Sequence, residues 1–420
     1  MKIFGVHVEN SSVGQYRLWT PFDALNRSGR HQCTRFPNDL KFVDVPINKK
    51  DRSGGIESFE EIGQRTDLMV WQRCADLRQS SVGFAMRKAY GLPLVFECDD
   101  DLFSVEPTGQ AYSFYRNHSP EEGVDMTEIP DGELDAYRKR TSGVVTQVGK
   151  KWFWAQDNQM EKRTWTAELI KQADGVTTTT ETLARVFREY NPYVYVLPNC
   201  LDMNRWMEAR RRRGPGSGKV NVAWLGGVQH FDDLKIISEV IPEILRKYPN
   251  TSFTTIPLDA EFWKDCPREF GDRWIAGKTA SVDSWPEYLS SLKVDIMLAP
   301  LNSSRFNQSK SNIKWLEAAA LGIPTVASRE TPYLEIVDGV DGFLASGKAE
   351  WMDKISYLVE STPKRAHIGG LATKSAMDRY HIDDNIHLWD DAYTEIYNRS
   401  HKMHQKAAAR LRKQTIFDTM

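Results

Sequence analysis

The chain reads as an α/β protein of two parallel-sheet halves, and three observations carry that reading. Short β-rich runs alternate with helix-patterned segments along most of the 420 residues, the order that produces a parallel sheet covered by helices on both faces. The alternation halts at EARRRRGPGSGK, Glu208 to Lys219, where four arginines and a Gly-Pro-Gly-Ser-Gly run can neither pack nor continue a helix. It then restarts. The length suits two or three domains of roughly 150 residues.

In the first half the expected strands are Lys2 to Val8, Leu68 to Arg73, Leu92 to Cys98, Gly175 to Thr179 and Tyr193 to Leu197, each with helical sequence nearby. Between about Phe103 and Trp165 the pattern breaks into an acidic stretch (Glu121, Glu122, Asp125, Glu128, Asp131, Glu133, Asp135) and the aromatic cluster Trp152, Phe153, Trp154, which reads as an insertion. The aromatics, with Trp165, are expected to form a satellite core, the alternative being a stacking platform for a sugar or base. In the second half the expected order is strand Val220 to Leu225, helix Leu234 to Tyr248, strands Ser252 to Ile256 and Trp274 to Ala276, helix Trp285 to Leu292, strand Asp295 to Leu298, helix Ser309 to Leu321, strand Thr325 to Ala327, and helix from about Glu350. The expected domains are therefore 1-207 with an insertion at about 103-165, a linker at 208-219, a second domain at 220-380, and C-terminal helices with a basic tail at 381-420. A ligand cleft is expected between the halves, at the carboxyl ends of the strands.

Composition narrows the function classes. Lys and Arg number 55 against 57 for Asp and Glu, a net charge of -2, so no global field holds nucleic acid or an anionic bilayer and any anion site is local. The five cysteines are far apart with no CxxC pair, which indicates neither a disulfide framework nor a zinc site. The start MKIFGVHVEN lacks the apolar stretch of a signal peptide and no later run approaches the ~18 apolar residues of a membrane span. A cytoplasmic protein, soluble or peripheral to a membrane, is expected.

The most informative stretch is RFNQSKSNIKWLEAAALGIPTVAS, Arg305 to Ser328. Read as a helix from Ser309, it sets Lys310, Lys314 and Glu317 on one face. Helix starts favour acids, yet this one carries Arg305, Lys310 and Lys314 with no acid before Glu317. Free N–H groups and two lysines make a cradle for a diphosphate; the alternative is a solvated face with a Lys314–Glu317 pair. Asp99, Asp100 and Asp101 follow the strand Leu92 to Cys98, either as ligands for Mg²⁺ or Mn²⁺ or as one helix cap with two solvated neighbours. A lone His7 at a strand end is more often a core or capping residue. His230 is preferred as functional because it follows the Gly226–Gly227 turn. Arg399, Lys402, Lys406, Arg410 and Lys413 form a basic helical stripe, a solvated tail by default and a contact for anionic lipid or nucleic acid otherwise.

This stretch resembles the C-terminal signature of the GT-B glycosyltransferases, in particular the retaining glycosyltransferase family 4: a helix start with two glutamates, a small-residue run, Gly, an apolar residue, Pro and a Val-rich strand. Glu317 matches the second glutamate, and PYLEIVDGVDGFLA (Pro332 to Ala345), LPNCLD with Pro198, Asn199 and Asp202, ADGVTTTTETL, VNVAWLGG (Val220 to Gly227) and SSVGQYRLWTPFDAL follow further family segments in order. The resemblance implies a GT-B fold, with two Rossmann-like domains, a cleft between them, and C-terminal helices crossing back to the first. The implied activity is transfer of a sugar from a UDP- or GDP-sugar to an acceptor hydroxyl, retaining and without a metal or other cofactor.

Under this resemblance Glu317 binds the ribose, while Lys310, Lys314 and the amides of Ser311 and Asn312 hold the diphosphate. Gly14 closes the pocket, and Gly227 and His230 line the glycine turn. Asp100 falls near a family position that contacts donor sugar or acceptor and is the candidate base. Two departures stand out: Lys310 occupies the place assigned to the first glutamate, and the turn GGVQHFDDLK lacks the family's Arg and Lys. The acceptor is expected to be an envelope glycan or lipid. The alternatives are hydroxylated bases of DNA, or a binding protein that keeps the shell and has lost turnover.

Overall fold

A computed structural model describes residues 1–7, 12–35, 59–73, 77–105, 124–125, 143–148, 151–156, 162–214, 218–227, 230–256, 260–278 and 280–418. The chain forms two compact units. One gathers Met1–Phe103, Ser113–Leu197 and Ile386–Met420, and the other Ser104–Tyr112 and Pro198–Asn385. The division between the larger segments therefore falls at Leu197 and Pro198, upstream of the expected linker. Residues Glu208 to Arg211 of that linker lie in the helix Met203–Arg211. Its arginines are used internally: Arg210 donates to Thr373 Oγ1 at 2.8 Å, Arg211 pairs with Glu208, and Arg213 donates to the Val294 carbonyl at 2.5 Å.

The first unit is built on β1 (Lys2–His7), β2 (Gln32–Arg35), β3 (Leu68–Gln72) and β4 (Leu94–Glu97). After β5 (Val124–Asp125), β6 (Gly143–Val148) and β7 (Lys151–Gln156) come β8 (Gly175–Thr178) and β9 (Val194–Val196). The main sheet is parallel in the order β2-β1-β3-β4-β8-β9, and β5, β7 and β6 form a separate three-stranded antiparallel sheet. The expected insertion thus contains a small sheet of its own. Trp152, Phe153 and Trp154 lie in β7, and the acidic run, apart from Asp125 in β5, lies outside the described residues, as do the side chains of the aromatic cluster. Strand β2 was not foreseen; only Cys33 of its four residues is buried, so it carries no apolar pattern.

The second unit holds β10 (Val220–Trp224), β11 (Thr251–Thr255), β12 (Trp274–Ala276), β13 (Ile296–Ala299), β14 (Thr325–Ser328) and β15 (Phe343–Ala345), all parallel, in the order β12-β11-β10-β13-β14-β15. Its strand order reverses between β10 and β13, the switch point at which open α/β sheets bind ligands beyond the strand carboxyl ends. Val222, Trp224, Phe253, Ile296, Leu298 and Val326 form the sheet side of its core, against Ile241, Ile244, Trp351 and Ile355 of the covering helices.

Two helices of the expected set are corrected. The one read as Leu234 to Tyr248 is a short helix Phe231–Leu234, a 3-10 turn Lys235–Ile237 and the helix Val240–Lys247. The helix read as Ser309 to Leu321 is two pieces, Arg305–Gln308 and Ile313–Ala320. Ser304 caps the first through a bond from the Asn307 N–H at 3.3 Å, and Asn312 takes the cap position of the second. The intervening Ser309, Ser311 and Asn312 are short polar residues that favour turns over helix interiors.

The last helix, Ile382–Asp418, runs into the first unit. Asp390 pairs with Arg30, and with His31 at 2.8 Å, while Arg399 donates to the Asp174 carbonyl and to Tyr195 at 2.8 Å, with its guanidinium 3.5 Å from the Tyr193 ring centroid. Arg399 is therefore spent on packing and does not belong to a free basic stripe. The side chains of Lys406, Arg410 and Lys413 lie outside the described residues. Among the described residues no helix is long and apolar enough to cross a membrane.

The first unit is centred on a buried ion pair. Arg17 sits in a π-helical turn, Gln15–Trp19, and is 1% exposed. Its Nε and Nη2 donate to the two oxygens of Glu97 at 2.7 and 3.1 Å, and its Nη1 donates to the Leu197 carbonyl at 2.6 Å. Thr177 Oγ1 also donates to Glu97. Removing one partner of such a pair strands the other charge, at a cost of about 3–5 kcal/mol. Glu97→Gln is accordingly expected to lower the urea-unfolding free energy by roughly 3 kcal/mol; a change under about 0.5 kcal/mol would show that the pair carries no net load.

Candidate functional site

At the switch point of the second unit the chain leaves β10 through Leu225, Gly226 and Gly227. A Cβ on Gly226 would lie 2.7 Å from Trp224 Cζ2 and 2.8 Å from Lys314 Nζ, so glycine is required there by space. Lys314, in the first turn of Ile313–Ala320, donates from Nζ to the Leu225 carbonyl at 2.7 Å and sits 5.6 Å from the Trp224 ring centroid. This single bond fixes the helix start to the end of the central strand. Burial, opposed by Glu317 and assisted by Lys310, pushes the Lys314 ammonium down to about 8. The first-turn N–H groups of this helix, Ile313 and Lys314 among them, have no acceptor within the helix.

The turn continues into His230, whose N–H donates to the Gly227 carbonyl at 3.1 Å. Its Nδ1 lies 2.8 Å from Asp233 Oδ2. Asp233 Oδ1 accepts from the Asn302 N–H at 2.8 Å and from Asn307 Nδ2 at 2.7 Å. The loop after β13 is thereby tied to the turn after β10 through one carboxylate. Burial pushes His230 down to about 4, with Lys310 and Lys314 adding to the effect and Asp233 opposing it, so the imidazole is neutral at physiological pH.

The structure brings Gly227, His230, Lys310, Lys314 and Glu317 to this corner. The break at 309–312 takes Lys310 off the helix that bears Lys314, and its ammonium lies 4.4 Å from the Phe306 ring centroid. The side chains of Ser311 and Asn312 are engaged elsewhere: Ser311 Oγ accepts from Asn199 Nδ2 at 2.8 Å, and Asn312 Nδ2 reaches Tyr380 Oη at 3.0 Å and Glu335 at 3.2 Å. Only their backbones remain as candidates for an anion. With seven residues between the family's two glutamates, the first position counted back from Glu317 is Ser309, one before Lys310. Ser309 is buried and its hydroxyl donates to the Arg305 carbonyl at 3.3 Å, so neither register supplies a carboxylate.

Gly14 and Asp100 belong to the first unit. Gly14 is buried in right-handed helical backbone, with φ -56° and ψ -40°, a conformation open to any residue. Asp100 lies 3.3 Å from Arg73 Nη2, and Asp99 lies 3.7 Å from Arg73 Nε. Asp101 is buried and accepts from the Phe103 N–H at 3.1 Å. Of the three, Asp99 is pushed up by burial, then by Asp100 and Glu97, to about 6 against the pull of Arg73 and Arg17. Arg73 itself has a left-handed φ of 51°, a strained backbone for a non-glycine residue at a strand end. Among the described residues no group of three His, Cys, Asp or Glu side chains converges as a metal site.

Asp233, Asn302, Asn307 and Arg17 are not singled out by sequence reasoning, which names Asp99 only as one of three acids. A signal existed for Asp233, since it stands three residues after His230, and for Arg17, which lies inside the quoted SSVGQYRLW segment; the long-range partners of both were not readable.

Residues 267–391 match the family described as glycosyl transferase-like. No curated protein is significantly similar in sequence. Among solved structures, the chain is similar to Anabaena HepE in complex with UDP and glucose, at TM-score 0.57 and 14% identity over 94% of this chain and 100% of that one. It is similar to sucrose-phosphate synthase from Thermosynechococcus elongatus, at 0.56 and 12% identity over 95% and 100%. A glycosyltransferase from Rickettsia africae aligns at 0.56 and 11% identity over 94% and 98%. The glycosyl transferase-like match spans the Lys310–Glu317 segment, the two parallel sheets are those of the structural neighbours, and the chain has the GT-B fold they share.

Proposed function

We propose that the chain transfers a sugar from a UDP-sugar to an acceptor hydroxyl, with retention at the anomeric carbon and without a metal in the chemical step. The observation that carries this reading is the corner at the β10–β13 switch point, where Lys314, Lys310 and the first-turn amides meet the Gly226–Gly227 turn. Two cations and fixed N–H dipoles supply what a departing diphosphate needs, stabilisation of the charge that grows on its oxygen. Glu317, one turn on, accepts from ribose hydroxyls. The bond from the anomeric carbon to the phosphate oxygen breaks, the acceptor oxygen bonds on the same face while its proton passes to the departing phosphate oxygen, and UDP leaves. UDP is preferred to GDP because a neighbour of the same fold was crystallised with UDP, glucose and UDP-glucose. An envelope glycan or lipid is the acceptor class we favour.

A second reading is favoured by one observation: neither Ser309 nor Lys310 supplies the family's first carboxylate, which suits a donor-binding protein without turnover. Incubation with UDP-glucose, UDP-N-acetylglucosamine and GDP-mannose separates the two. Release of UDP above background is expected, with kcat/KM falling about 10²-fold in Lys314→Ala. Tight UDP-sugar binding with no release, even with glycan or lipid acceptors, would establish the second reading. Lys310→Ala with unchanged donor affinity and turnover would remove Lys310 from the site.

The Lys314 shift gives a pH prediction. A lysine held near 8 in the fold against the usual 10.5 binds its proton less well folded than unfolded, so the free protein gains stability as pH rises from about 8 toward 10.5. A bound diphosphate favours the charged form, so UDP affinity is expected to be greatest below about pH 8 and to decline above it. Lys314→Met is expected to raise the Tm of the free protein at pH 7 by about 2 °C and to abolish the UDP-induced shift. A pH-independent UDP affinity measured by calorimetry from pH 7 to 10 would refute this assignment.

A further inference from the structure

Asp233 settles the proton on His230 by simple accounting. A carboxylate only accepts hydrogen bonds. Its Oδ1 already takes the N–H of Asn302 and one N–H of Asn307, and its Oδ2 lies 2.8 Å from His230 Nδ1, so Nδ1 must carry the hydrogen. The other nitrogen, Nε2, is then a bare acceptor. Among the described residues no group bonds to it, although His230 is only 8% exposed. Its surroundings are cationic, with Lys310 and Lys314 both acting on the ring, and these ammonium groups, with burial, hold the imidazole neutral. A neutral ring with an outward lone pair is a poor partner for a phosphate oxygen, which would face it lone pair to lone pair. It is a good partner for a hydroxyl.

We propose that His230, oriented by Asp233, recognises a hydroxyl group of the bound nucleotide sugar and takes no part in holding its diphosphate. This rests on the reading of the corner as the donor site. His230 is then a specificity residue, and Asp233 a positioning residue whose work is to fix the tautomer. The division of labour is chemical: Lys310 and Lys314 read negative charge, and His230 reads a donor proton. A site built to pair with a hydroxyl discriminates strongly against a ligand that lacks it, because the acceptor is then left buried and unpaired.

The first test is spectroscopic. With the nine histidines carrying ¹⁵N, long-range ¹H–¹⁵N correlation at pH 7 reports the tautomer of each ring, and His230→Gln assigns the signal by subtraction. The expected result is a neutral ring protonated on Nδ1. An imidazolium, or a ring protonated on Nε2, overturns the proposal. Asp233→Asn retains an oxygen for Asn302 and Asn307 but presents N–H to Nδ1, which should move the proton to Nε2 while leaving the fold intact by circular dichroism.

The second test is binding of UDP-glucose and its deoxy analogues, at each ribose and hexose position, to the wild type, Asp233→Asn and His230→Phe. One analogue is expected to bind the wild type about tenfold more weakly than UDP-glucose, and that difference is expected to vanish in His230→Phe and to change in Asp233→Asn, whose Nε2–H would donate to the hydroxyl oxygen instead of accepting from it. If free UDP shows the same loss in the variants, the hydroxyl is on the ribose; if it does not, the hydroxyl is on the sugar. Identical ranking of every analogue by all three proteins overturns the proposal. Failure of the wild type to bind any UDP- or GDP-sugar would instead refute the donor-site reading and hydroxyl recognition with it, while the tautomer would still be decided by the spectrum.

Discussion

The bond from Lys314 to the Leu225 carbonyl is the constraint on which the candidate corner depends. It ties the start of Ile313–Ala320 to the end of the central strand β10 and holds an ammonium group where the helix dipole would otherwise repel it. Gly226 exists in that geometry because any side chain would collide with the ammonium or with Trp224. Everything the corner offers a ligand, from the first-turn amides to the neutral imidazole, is placed relative to this anchored cation.

The first unit uses the same device differently. Arg17, like Lys314, donates to a carbonyl at a strand end, that of Leu197 after β9, but its charge is matched by Glu97 in bidentate contact. Paired and sealed, Arg17 is structural. Lys314 lacks such closure, since Glu317 raises its proton affinity only enough to leave it near 8. A buried cation with incomplete compensation is a standing invitation to an anion, whereas a fully compensated one is not.

Much of the fold was legible because parallel strands buried on both faces read as apolar runs: Leu68 to Arg73 and Val220 to Leu225 appear within one residue of their observed ends. Strand β2 was not, since QCTR has a single buried residue. The unusual charge at a helix start in the Arg305 to Ser328 stretch was readable, but its geometry was not. The break at 309–312 accompanies tertiary bonds, from Asn307 to Asp233, Ser311 to Asn199 and Asn312 to Tyr380, that link residues 68 to 112 positions apart. The place of His230 beside the glycine turn was readable, yet its charge state depends on burial and on Asp233, neither of which spacing reveals.

The helix Ile382–Asp418 has a temporal consequence. The first unit is discontinuous in the chain, and Trp389, Tyr393 and Ile396, all buried, come from its final segment; Ile396 fills the space above Gly175 so closely that a Cβ there would lie 2.5 Å from it. During synthesis the segments Met1–Phe103 and Ser113–Leu197 emerge first and must wait, with that face uncovered, while all of Pro198–Asn385 is made. The second unit, which carries the anchored lysine, is therefore the one able to complete its core on the ribosome, and the N-terminal half is the later of the two to mature.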